Sequence, residues 1–187
     1  MGNVRKYFTY AGLLLAAAGL LAAQTLPKGI TKVTSVEGIT EYRLENGLRV
    51  LVFPDNSKPT ITVNMTYIVG SRHEGTGEGG MAHLLEHMVF KGTPRRTALD
   101  VNRDFDRIGA DYNAFTSEEN TVYYAATLPE YHAQATEILA DILRPSLRSA
   151  DFDMEKKVIL EEIGMYEDNP GWMVFDHARR EFFGNHP

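Results

Sequence analysis

The sequence predicts an α+β fold: a mostly antiparallel sheet backed by helices on one face. Three observations carry that prediction. Alternating, β-branched stretches come in groups, and stretches with helical periodicity come in groups of their own. An Asn46-Gly47 pair sits between two strand-like runs, as a tight hairpin requires. Grouped elements, rather than strictly alternating ones, indicate α+β and not a doubly wound parallel sheet.

Residues 1–23 read as an export signal. Arg5 and Lys6 precede a 13-residue run, Ala11 to Ala23, made only of Ala, Gly and Leu. A basic start and a short apolar stretch suit a secretory signal, and the run is too short for an ordinary transmembrane helix. The expected destination is the bacterial periplasm or the medium, and an uncleaved signal would instead tether the chain to a membrane. Residues 24–37 read as a linker and 38–187 as the folded domain. Strands are expected at Ile39 to Leu44, Leu48 to Phe53 and Ile61 to Val69, with a turn from Pro54 to Pro59.

A Gly-rich approach, Gly70 to Gly80, leads into an apolar helix ending near Phe90. A second helix is expected from Ala98 to Ile108, stopped by Gly109. Strands Asp111 to Thr116 and Thr121 to Thr127 follow. Pro129 opens a helix to about Leu143, with Pro145 closing the segment. Another covers Asp151 to about Tyr166, and a last one begins near Gly171.

The net charge is −6 and no Lys/Arg cluster is followed by aromatics, which argues against a nucleic-acid partner. There is no Cys, hence no disulfide framework and no thiolate metal site. Any metal must be held by His and carboxylate.

His83-Leu84-Leu85-Glu86-His87 supplies such a set. Positions i, i+3 and i+4 share one helix face, so His83, Glu86 and His87 point the same way. Two imidazoles one turn apart can grip one Zn²⁺, and a neighbouring carboxylate can take a proton from water. The rest of the helix is small or apolar, so the sequence places it in the core, where unpartnered polar groups cost several kcal/mol. The plain alternative is a pair of hydrogen-bonded core histidines beside a solvated Glu.

A catalytic zinc site needs a third protein ligand and an open position. On the helix expected from Asp151 to Tyr166, Phe152, Val158, Ile159, Ile163, Met165 and Tyr166 form an apolar arc. Glu155 and Glu162 fall inside it, two turns apart, while Glu161 sits at its polar edge, within i, i+4 reach of Lys157. Carboxylates in an apolar arc are rare unless a cation satisfies them. Helix geometry therefore favours Glu162 over Glu161 as third ligand, with Glu155 orienting a ligand imidazole, and leaves Glu161 open.

With these residues in hand, the chain resembles the zinc metallopeptidases of the pitrilysin, insulinase and mitochondrial processing peptidase family. The likeness rests on Gly70-Ser71-Arg72-His73-Glu74, His83-x-x-Glu86-His87, Phe90-Lys91-Gly92-Thr93, Asn113-Ala114 and Glu155-x6-Glu162. It implies an α+β metallopeptidase half-unit with zinc on His83, His87 and Glu162, Glu86 as general base and Glu155 in support. It further implies that Asn113 and Ala114 align a peptide substrate as an added strand. Family chains contain a second half that supplies an Arg/Tyr pair. This sequence is therefore expected to be completed by the remainder of a longer chain or by a companion subunit. The expected activity is zinc-dependent endopeptidase action on peptides or unfolded segments. The rival readings are a non-catalytic family subunit in an envelope assembly, against which the intact set His83, Glu86, His87 and Glu162 argues, and a metal-binding protein, against which Glu86 argues as a base with no ligand role.

Gly75, Gly77, Gly79 and Gly80 resemble a phosphate loop, but Glu74 and Glu78 would repel phosphate and no Lys follows. A flexible approach to the helix is the better reading. His73, His132, His177 and His186 lack ligand-spaced partners.

Overall fold

The computed structural model describes residues 26–184. The expected signal, residues 1–23, lies outside them, and no helix among the described residues is long and apolar enough to cross a membrane. The chain divides into two compact units between Asn56 and Ser57, inside the stretch 38–187 read as one domain.

The first unit is a three-stranded antiparallel sheet: β1 (Ile30–Val36), β2 (Ile39–Leu44) and β3 (Arg49–Val52), in that order. Strand β1 occupies half of the expected linker, residues 24–37. Its residues are nearly all exposed, so no apolar face marked it in the sequence. The turn that joins it to β2 is Glu37-Gly38, both at positive φ (50° and 87°). That is the geometry of a two-residue hairpin turn, but with Glu where Asn or Asp is usual. The Asn46-Gly47 hairpin forms as expected, with the Gly47 N–H on the Leu44 carbonyl and Asn46 Oδ1 accepting the Leu48 N–H.

The second unit holds another antiparallel sheet, β4 (Ile61–Tyr67), β5 (Asp111–Thr116) and β6 (Thr121–Thr127), ordered β4-β6-β5. Its helices are α1 (Met81–Val89), α2 (Ala98–Arg107), α3 (His132–Ile142), α4 (Ser149–Glu167) and α5 (Pro170–Phe183). The α+β class is as the sequence predicts. Central β6 buries Thr121, Tyr123, Ala125 and Thr127 on one face. There Val89, Val101, Phe105, Ile138 and Ile142 complete the main core. Pro129 opens a 3-10 turn, Pro129–Tyr131, before α3 begins. Thr97 caps α2 through a capping box with Asp100.

The Phe90-Lys91-Gly92-Thr93 segment forms the turn that follows α1. Gly92 has φ 112°, and a Cβ there would lie 2.6 Å from the Arg96 carbonyl oxygen, so only glycine fits. Buried Thr93 accepts the Arg95 and Arg96 N–H groups on Oγ1 and donates to Asp141. Burial pushes the Asp141 carboxyl up, and hydrogen bonds from Arg96 and Thr93 more than offset this, leaving it below the usual range. The turn thus ties the chain after α1 to α3.

Candidate metal centre

Two helices build the site. Leu84 and Met88 of α1 pack with Ile159 of α4, and Val89 enters the main core. The helix is not buried all round: Met81 and Leu85 are exposed. Its start carries no side-chain cap of its own, since Gly80 stands at the N-cap with φ 91°. Glu74 serves instead, accepting the Gly80 N–H (2.9 Å) and the Ala82 N–H (2.7 Å). An anion there satisfies open donors and suits the helix dipole. The Gly-rich approach is therefore folded back on α1. Gly75 N–H also bonds Glu78.

His83, His87 and Glu162 converge, and they are the group among the described residues whose donors could share one metal ion. His83 Nε2 lies 3.2 Å from His87 Nε2, and Glu162 Oε2 lies 3.5 Å from the first and 3.6 Å from the second. Tetrahedral zinc with ligand bonds of ~2.0–2.1 Å has ligand–ligand edges of about 3.3–3.4 Å. The three donors stand nearly at that spacing, so the residues present fit the ion.

Glu155 is 3% exposed and lies behind His87. Its Oε2 is 3.2 Å from His87 Nδ1 and its Oε1 is 2.7 Å from Lys91 Nζ. A carboxylate on Nδ1 fixes the tautomer that leaves Nε2 free as a donor atom. Lys91 balances the buried charge, and Arg148 donates to the Lys91 carbonyl from the start of α4. Glu161, by contrast, is exposed and makes no ion pair with Lys157 among the described residues.

Glu86 is not one of this trio but lines, together with His83, a cleft of about 430 Å³ whose lining also includes Glu74, Ala114, Thr116 and Tyr166. It is 9% exposed, and its Oε2 accepts a 2.5 Å hydrogen bond from Thr116 Oγ1. Tyr123 is held protonated, its pKa pushed up by burial first and then by the Glu86 charge and Tyr67. Ala114 lines the cleft; Asn113 is exposed on the same edge strand, with its Oδ1 on the Ala114 N–H. The structure thus gathers His83, Glu86, His87, Glu155 and Glu162, and puts Ala114 on the cleft lining with exposed Asn113 next to it on β5 but outside that lining.

Sequence reasoning missed Thr116, Lys91 and Glu74. Lys91 and Glu74 stood inside quoted motifs without an assigned contact, and nothing local marked Thr116.

The family model for insulinase (Peptidase family M16) matches residues 49–187. This chain belongs to that family. It is 40% identical over 152 residues to an uncharacterized zinc protease of Rickettsia bellii, covering 81% of this chain and 37% of that protein. It is 43% identical over 143 residues to the mitochondrial-processing peptidase subunit beta of Bos taurus, covering 76% of this chain and 29% of that one. Among solved structures, a protease from Helicobacter pylori superposes with a TM-score of 0.70 at 32% identity, over 73% of this chain and 34% of that chain. The inactive domain of a Pseudomonas fluorescens peptidase M16 gives 0.71 at 19% identity, covering 80% and 37%, a likeness of fold. The chain thus spans roughly a third of the relatives' own length.

Proposed function

We propose that this chain carries the zinc site of an endopeptidase that cleaves peptides or unfolded segments. The observation that carries the reading is the near-tetrahedral spacing of His83 Nε2, His87 Nε2 and Glu162 Oε2 beside a carboxylate, Glu86, that is not part of the trio. Those three residues would hold zinc, with Glu155 and Lys91 behind His87.

Zinc, when bound, polarises a carbonyl and acidifies water toward a pKa of ~7. Glu86 takes the proton from the attacking water and delivers it to the leaving amine nitrogen. Strand β5 is the edge of its sheet, so its outer backbone groups can pair with an extended peptide laid along Asn113 and Ala114. The remainder of a longer chain, or a companion subunit, supplies the opposing wall with its Arg/Tyr pair, and the export signal directs the protein to the periplasm or medium. The relatives named as zinc proteases and as a processing-peptidase subunit support this reading.

The test is Glu86→Gln in the full-length protein, with zinc content and peptide turnover measured together. The amide keeps the shape but accepts no proton, so zinc should remain stoichiometric while turnover falls by about 10²- to 10⁴-fold. Wild-type turnover would remove Glu86 from the chemistry. Loss of zinc would make it a ligand instead.

A further inference from the structure

Thr116 closes β5, where alternation turns Tyr112, Ala114 and Thr116 inward and leaves Asp111, Asn113 and Phe115 exposed. Its hydroxyl donates to Glu86 Oε2 at 2.5 Å, at the short end for an O–H on a carboxylate. The residue that follows is held firmly. Ser117 N–H bonds the Asn120 carbonyl across the β5–β6 turn, and the Ser117 and Glu118 carbonyls accept the Ser71 and Arg72 N–H groups. The two segments approach so closely that a Cβ on Gly70 would lie 2.2 Å from the Ser117 oxygen. Thr116 therefore reaches Glu86 from a fixed base, whereas Glu86 is a long side chain with several rotatable bonds. A donor on a rigid element is what holds such a carboxylate in one orientation.

We propose that Thr116 is a positioning residue for Glu86. Its hydroxyl occupies Oε2 and leaves Oε1 to take the proton, and it aims the base from the strand whose edge borders the cleft. The proposal rests on the reading of Glu86 as the base.

In the full-length protein, Thr116→Val keeps the side-chain shape and removes the O–H, and Thr116→Ser keeps the O–H. We expect Thr116→Val to lower kcat by about 10- to 100-fold, with KM within about twofold and zinc content and zinc Kd unchanged. Thr116→Ser should retain kcat within about threefold. Wild-type kcat in Thr116→Val overturns the proposal. So does lost zinc, which would make Thr116 a support of the metal helix. A Thr116→Ser variant as impaired as Thr116→Val overturns it too, because packing and not the hydroxyl would then matter. Should the valine variant fold poorly by melting temperature, Thr116→Ala, which adds no bulk, is held to the same criteria. Glu86→Gln is assayed alongside. If it stays active, the base assignment has failed, and if it is inactive while Thr116→Val is normal, only the Thr116 proposal has.

Discussion

Helices α1 and α4 meet at the centre but are held in place by different means. Helix α1 is set by apolar packing, with Leu84, Met88 and Val89 buried, and by Glu74 at its start. Helix α4 is more than twice as long, 19 residues against 9, yet buries only Glu155 and Ile159. Most of its apolar arc, including Phe152, Val158, Ile163, Met165 and Tyr166, is exposed. Its position depends on Ile159, on Arg148 bonded to the Lys91 carbonyl, and on Glu155 between His87 and Lys91. One helix presents the histidines because the core fixes it. The other is oriented largely by the polar groups of the site it completes.

The largest test of that contrast is the pair Glu162→Gln and Glu161→Gln. The first replaces an anionic donor in the trio with a neutral amide and should cut zinc affinity by well over about 100-fold, beyond what supporting residues usually cost. The second alters an exposed residue and should leave zinc content near stoichiometric. Competition titration with a chelator reads both, and reversed affinities would overturn the placement of α4.

Lys91→Met sharpens the comparison at intermediate size. It keeps the bulk and leaves the buried Glu155 charge without its cation, so the carboxylate holds His87 less firmly. Zinc affinity should fall by about 10- to 100-fold, with Lys91→Arg recovering most of it. Unchanged affinity in Lys91→Met would mean that packing alone sets α4 against α1.

Ile159→Val is the smallest. It removes one methylene from the small cluster with Leu84 and Met88 and should cost about 0.5–1.5 kcal/mol in a denaturant melt. Its effect on zinc should be slight, since the polar contacts remain. A zinc loss rivalling that of Lys91→Met would show that this contact orients α4.

Much of the fold was legible for local reasons. The bounds of β5 and β6 follow from alternation between turn residues, and the expected helices all form, because 3.6-residue spacing is a property of a short stretch. Strand β1 was hidden because an exposed edge strand has no apolar face and its Glu37-Gly38 turn lacks the usual signal. The apolar arc of α4 was legible but its exposure was not, because periodicity reports which residues share a face and is silent on what that face meets.

The sequence by itself determined the shared stripe of His83, Glu86 and His87, since helical spacing alone puts them together. It also placed Glu155 and Glu162 in one arc of a second helix, and several separated motifs in one order marked the family. Only the tertiary structure decided what those groups touch. Lys91 opposite Glu155, Glu74 across the start of α1 and Thr116 on Glu86 join residues 64, up to 8 and 30 positions apart. Contacts between elements depend on packing and strand register, which no local spacing encodes.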